Sequence, residues 1–190
     1  HAFFSNKNQC LWENSSYLPN IPCLLCQKND QASSNAVLYD KEQAILFVGL
    51  LSHTPNSHGV NHFVHNIWPI VKKNVPDATF RIAGKGVTAE QKAVWENFQD
   101  VYVLGFVPDI QNEYKRCKVV VVPIYYGSGT NIKVIEALAM QKATVISEYA
   151  LKGFEHQLVD TQNIMIAKND SDFVKKITQL FTDKDLNQKI

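Results

Sequence analysis

The sequence predicts an α/β protein: a Rossmann-like parallel sheet with helices on both faces. Three observations carry that expectation. From Gln43 onward, short apolar runs alternate with longer amphipathic ones, the pattern of strands joined by right-handed helical crossovers. Val119 to Pro123 reads V-V-V-V-P, four β-branched residues with no alternation, as in a strand covered on both faces. Glycine falls just after successive predicted strands, at Gly49, at Gly84 and Gly86, at Gly105, and at Gly127 and Gly129. Ligands of open parallel sheets sit beyond the carboxyl ends of strands, so these glycines mark either a binding edge or ordinary strand-to-helix turns.

Taken in order, residues 1–40 are rich in Asn, Gln and Ser, contain Pro19 and Pro22, and lack sustained periodicity. That texture is expected of a linker. A first strand is predicted at 44–49, followed by a helix over 57–74 whose Val60, Phe63, Val64, Ile67 and Val71 form one apolar stripe that also admits Trp68. Further strands fall near 78–84, 101–104, 118–122, 143–147 and 163–167. Helices fall between and after them near 88–98, where Trp95 faces the sheet, and near 109–117, 131–140, 170–181 and 183–189. The predicted domain therefore spans 41–190, with 1–40 apart from it.

The chemistry concentrates in Tyr125 to Ser147, where a buried strand leads through Gly127-Ser128-Gly129 into a helix and on to another strand. Ser128 or Thr130 is positioned to cap that helix. Helix N-terminal amides lack intrahelical partners and carry partial positive charge, so such a turn can bind a phosphate by backbone alone. Lys133 adds a cation in the first turn, and Glu136 lies on the same face three residues on. A carboxylate there can accept both hydroxyls of a ribose. The alternative is a surface pair worth about 0.3 kcal/mol.

Composition narrows the function classes. With 19 Lys and Arg against 18 Asp and Glu, the net charge of +1 offers no basic face of the kind that nucleic-acid binders carry. No apolar run reaches the ~20 residues of a membrane span, and no signal-peptide pattern is present. The chain starts at His1 rather than methionine, which suggests a piece of a longer protein. Cys10, Cys23, Cys26 and Cys117 include one C-x-x-C, without the second pair that a zinc knuckle needs, so reduced thiols in a cytoplasmic protein are expected. His58, His62 and His65 have helical spacing that suits either a metal or, beside the apolar stripe, a wet flank. The second reading is favoured, and His58 is also near enough to the helix start to reach a phosphate. Tyr125, Tyr126 and Phe106 are the aromatic candidates beside a ligand.

The run G-S-G-T-N-I-K-V-I-E-A-L-A-M-Q-K-A-T-V-I-S, Gly127 to Ser147, resembles the signature of the family 4 (group 1) glycosyltransferases. Ile45 to Gly49, Pro55-Asn56 with Phe63 and Pro69, Arg81 to Gly86, and Gly105 to Asp109 resemble further segments of that family in the same order. The resemblance extends from about Gln43 to Ile190. It implies the C-terminal, nucleotide-sugar-binding lobe of a two-lobed GT-B enzyme. Tyr17 to Pro22 resembles the connection between lobes, so 1–40 is expected to be a remnant of the acceptor lobe.

The resemblance further implies that the amides of Thr130, Asn131, Ile132 and Lys133 hold the donor diphosphate, with Gly49, Lys85, Phe106, Gly127, Ser128 and Gly129 lining the donor site. Lys133 and Glu136 are the expected catalytic pair, the latter on the ribose. The backbone around Phe106 is expected to face the base. The chain departs from many members at Ser128, where they carry a sugar-contacting glutamate, and at Leu50, where they carry arginine; no lysine follows in His53 to His58. Lys85 and Lys133 are the expected replacements. The implied reaction is sugar transfer with retention from a nucleoside diphosphate sugar to a glycan or lipid-linked acceptor, with no metal or other cofactor and with the acceptor held by an N-terminal lobe. The expected location is the cytoplasm or the periphery of the inner membrane. A non-catalytic nucleotide-binding or interaction module, or a nucleotide-sugar epimerase, are the other readings.

Overall fold

Parallel strands need long crossovers, and the predicted helices supply them in sequence. The computed structural model describes residues 43–190. The expected remnant at 1–40, with Tyr17 to Pro22 and with Cys10, Cys23 and Cys26, lies outside the described residues. Strands β1 (Ala44–Val48), β2 (Thr79–Ala83), β3 (Val101–Gly105), β4 (Val119–Val122), β5 (Ala143–Ser147) and β6 (Met165–Ala167) form one sheet in the order β3-β2-β1-β4-β5-β6. Every neighbouring pair is parallel. The order reverses between β1 and β4, the switch point beside which such sheets open a ligand crevice at the carboxyl ends.

The helices are α1 (Thr54–His62), α2 (Trp68–Asn74), α3 (Ala89–Glu96), α4 (Ile110–Arg116), α5 (Ile132–Ala139), α6 (Asp170–Thr182) and α7 (Lys184–Lys189). The single helix expected over 57–74 differs in two respects, both caused by proline. It starts at Thr54, because Pro55 occupies the first turn, where a missing N–H is no loss. It then passes through a π-helical stretch, Phe63–Ile67, before α2. Pro69 cannot donate to a carbonyl one turn back, and the Trp68 amide bonds to Phe63, five residues earlier.

Adjacent strand residues point to opposite faces, and β2 shows what covers each. Phe80 meets Phe63 and Trp68, with ring centroids 4.7 and 5.8 Å away, and Phe173 of α6 stands edge-on to Phe63 at 6.2 Å. Arg81, its neighbour, reaches the opposite face and binds Glu113 of α4 through Nε at 2.8 Å and Nη2 at 3.0 Å. Val119 to Val122 and all of β5 are buried, as the unalternating runs predicted, as are the stripe of Val60, Phe63, Val64, Ile67 and Val71 and both Trp68 and Trp95. Cys117 is buried, its Sγ donating to the Tyr114 carbonyl at 3.3 Å.

Candidate functional site

Beyond the sheet's carboxyl edge, main-chain hydrogen bonds continue the pairing into the turns. Gly49 donates to Ala83 at 3.0 Å, Leu51 to Lys85 at 2.7 Å, and Gly84 to Gly105 at 2.7 Å. These bonds pull the turns after β1, β2 and β3 together. Gly84 has φ +152°, and a Cβ there would lie 1.7 Å from the Gly49 carbonyl oxygen, so only glycine permits the approach. The same lacing sets Lys85 beside Phe106: the ammonium lies 4.3 Å from the ring centroid, and Phe106 is 61% exposed. Leu50 is 54% exposed. Its apolar side chain stands on the same edge.

On the other side of the switch point, β4 runs into the exposed loop Tyr126 to Thr130 and then α5. The expected caps do not form: α5 starts at Ile132, with Asn131 at its N-cap, and no side chain accepts from its first turn. The Asn131 side chain is buried and committed elsewhere, its Nδ2 donating to the Ala150 carbonyl at 3.4 Å and its Oδ1 accepting from Lys133 Nζ at 3.5 Å. The Ile132 amide, expected to serve a phosphate, instead donates to the Thr130 carbonyl at 3.0 Å. Among the described residues, no hydrogen bond occupies the amides of Thr130, Asn131 and Lys133. Three donors thus remain at the positive end of the helix dipole.

Lys133 and Glu136 are both half-buried, and no contact ion pair joins them among the described residues. Burial draws the Lys133 ammonium below the ordinary lysine value, with the Glu136 charge opposing. Burial likewise raises the Glu136 carboxyl above the ordinary range, with Lys133 opposing. This differs from a solvated surface pair: each charge is poorly hydrated and has no opposite charge in contact, Lys133 reaching only the Asn131 amide oxygen, a state that a charged or hydroxyl-bearing ligand relieves. Tyr114 of α4 lies near Glu136, its hydroxyl buried without a partner among the described residues. Burial first, then the fields of Glu136 and Cys117, raise the Tyr114 pKa.

The sequence-predicted residues therefore gather in two groups. Gly49, Lys85 and Phe106 share the edge of β1, β2 and β3, whereas Gly127, Ser128, Gly129, Thr130, Asn131, Ile132, Lys133 and Glu136 share the β4–α5 turn. β1, which leads into Gly49, lies next to β4, with β2 and β3 successively further out, so Gly49 adjoins the second group and Lys85 and Phe106 lie beyond it. The histidines engage neighbours individually. His58 packs edge-on against Tyr126 at 5.1 Å and His62 against Tyr125 at 4.8 Å; His62 Nε2 also lies 2.8 Å from Asp170 Oδ1. His58 and His65 are exposed, but His62 is half-buried rather than on the wet flank. No group of three or more His, Cys, Asp or Glu among the described residues could hold a metal ion. Nor is any helix among them long and apolar enough to cross a membrane. Sequence reasoning missed Tyr114, Ser147 and Tyr149, whose hydroxyls become relevant only once the fold brings separate segments together.

Residues 42–183 match the model of the family described as glycosyl transferases group 1. The chain belongs to that family. This group 1 domain has the fold of TarM from S. aureus, with a TM-score of 0.66 at 21% identity over 78% of this chain and 30% of TarM. The C-terminal domain of LpcC, a group 1 family glycosyl transferase of Francisella tularensis, matches with TM-score 0.61 at 20% identity over 77% of this chain and 79% of that one. HepE of Anabaena, solved with UDP and glucose, matches with TM-score 0.62 at 14% identity over 78% of this chain and 41% of HepE. The chain thus spans less than half of TarM and HepE, and most of the LpcC domain. No curated protein matches it.

Proposed function

We propose that this group 1 domain is the donor-binding lobe of a retaining, family 4 glycosyltransferase of the two-lobed GT-B type. It would move a sugar from a nucleoside diphosphate sugar to a glycan or lipid-linked acceptor, and the acceptor would bind an N-terminal lobe across the cleft. The observation that carries the reading is the α5 start: unoccupied amides at Thr130, Asn131 and Lys133, with the half-buried charges of Lys133 and Glu136 one turn behind.

As the glycosidic bond breaks, negative charge grows on the leaving diphosphate. Fixed amide dipoles and the Lys133 ammonium stabilise that charge without reorganising. Glu136 accepts the ribose hydroxyls, which returns to its carboxylate the hydrogen bonds that burial removed. Charge neutralisation falls to these groups and Lys85, so no metal or other cofactor takes part. HepE, solved with UDP and glucose, lends support to a uridine diphosphate sugar. The site of action would be the cytoplasm or the inner face of a membrane. A second reading, a module that keeps the fold without transfer, is favoured by exposed Leu50 and Ser128 where many members carry charged side chains.

Calorimetric titration of the chain with UDP, GDP and ADP, alongside Glu136→Ala, tests the proposal. Binding of one nucleotide that Glu136→Ala abolishes supports the donor lobe. Silence towards all three, in this chain and in a longer protein carrying both lobes, would leave the non-catalytic module.

A further inference from the structure

We infer that Tyr149 is a positioning residue for the donor diphosphate, acting through the Gly127–Thr130 loop rather than by touching the donor; this rests on the donor-lobe reading above. The loop leaves β4 with glycine on both sides of Ser128, so its backbone loses more conformational freedom on ordering than any other composition would. Nothing within the loop fixes it. Among the described residues, the backbone from Tyr125 to Gly129 makes one hydrogen bond, which the Gly127 carbonyl accepts from the Tyr149 hydroxyl.

Tyr149 belongs to the 3₁₀ turn Glu148–Leu151 that follows β5, and that turn is itself anchored. Ser147 Oγ donates to the Ile124 carbonyl and accepts from the Ala150 amide at 3.2 Å, tying the end of β5 to the exit of β4. The Ala150 carbonyl accepts from the buried Asn131 side chain. Gly153 then passes so close to Thr130 that a Cβ there would lie 3.2 Å from Thr130 Oγ1. The segment 147–153 is thus a brace bonded to the strand before the glycine loop and to the residue after it. Among the described residues, the Tyr149 hydroxyl makes the one hydrogen bond from that brace to the loop itself. With the loop held, the amides of Thr130, Asn131 and Lys133 converge before the ligand arrives, and binding costs less ordering.

The test is Tyr149→Phe in the full chain, which removes only the hydroxyl of a half-buried ring. Calorimetry with UDP, GDP and ADP identifies the nucleotide that the parent binds, and the matching nucleoside, measured by competition, serves as a phosphate-free probe. Loss of one neutral hydrogen bond should weaken the diphosphate about three- to tenfold. The nucleoside should bind both forms alike. Amide exchange at Gly127 to Lys133 should quicken in Tyr149→Phe while the strands keep their protection, a local effect that general destabilisation would not produce. Unchanged diphosphate affinity in Tyr149→Phe, or equal losses for diphosphate and nucleoside, overturns the positioning role and leaves the donor site intact. A parent that binds none of the three, both as this chain and in a longer protein carrying both lobes, overturns both.

Discussion

Gly59 in α1 meets Pro123 at the end of β4 with no room for a side chain: a Cβ on Gly59 would lie 2.0 Å from the Pro123 carbonyl oxygen. Both partners are backbone, so neither can swing aside. The contact seats the helix that follows β1 against the strand that carries the glycine loop, across the switch point. Gly59→Ala should therefore destabilise the domain by roughly 1–3 kcal/mol, as overpacking does, and lower the thermal midpoint by about 2–4 °C per kcal/mol. A midpoint equal to the parent's would show that α1 is not seated on β4.

Lys133 and Glu136 each lose more by burial than they gain from the other's charge. The Glu136 pKa is raised above 4.5, so its contribution favours the fold below that value and is lost as pH rises through the raised one. The Lys133 pKa is lowered below 10.5, so its contribution is complete above 10.5 and is lost as pH falls through the lowered one. At neutral pH both are unfavourable. Lys133→Met with Glu136→Gln should stabilise the unliganded chain at pH 7 and raise its thermal midpoint, since burial opposes both charges there. The gain from Glu136→Gln should shrink below pH 4.5, where the parent carboxyl is neutral in both states. Nucleotide binding should be lost in the same variant. Melting curves at pH 4 and pH 7 decide it, and a less stable double variant at pH 7 would contradict the burial account.

How much of this was legible depended on how local the physics is. The strands were, because V-V-V-V admits no amphipathic reading and short apolar runs recur between the helices; so were the α1 stripe and the glycine loop with Lys133 and Glu136. The π-helical turn was not, since Pro69 announces a lost hydrogen bond without saying how the chain absorbs it. The start of α5 was legible to within a residue, but its cap was not: Asn131 is by type as good a cap as Ser128 or Thr130, and its side chain is instead drawn to Ala150 and Lys133. Ser147 is the last residue of the signature run and Tyr149 lies just beyond it, and nothing local marks either hydroxyl. Their role comes from β4 and β5 being neighbours, a long-range fact.

Arg81 and Glu113 form a two-point ion pair between β2 and α4, with 17% and 9% of their side chains exposed. Glu113→Ala strips the guanidinium of its carboxylate inside a nearly dry interface and should cost roughly 3 kcal/mol. Arg81→Met with Glu113→Leu should recover most of that loss, because two apolar chains of similar volume need no compensating charge. Chemical denaturation of the single and double variants measures this. A single variant as stable as the parent would mean that the pair contributes nothing.

Lys85 and Phe106 make a prediction about binding rather than folding. Phe106 is largely exposed, so Phe106→Ala should leave the thermal midpoint nearly unchanged while weakening the nucleotide identified by calorimetry. Lys85→Ala should weaken it too, with a loss that shrinks at higher salt, because an exposed ammonium acts on phosphate across screening solvent. The ammonium sits over the ring, so the two losses should not add: removing Phe106 frees Lys85 from a contact worth about 0.5–1 kcal/mol. A double-mutant cycle at low salt should therefore return a coupling of about 0.5 kcal/mol or more, the level above which contacting residues depart from additivity. Additive losses would mean that ring and ammonium serve the nucleotide independently. No loss from either would place the base away from the β3 end, and the donor site would then be confined to the β4–α5 turn.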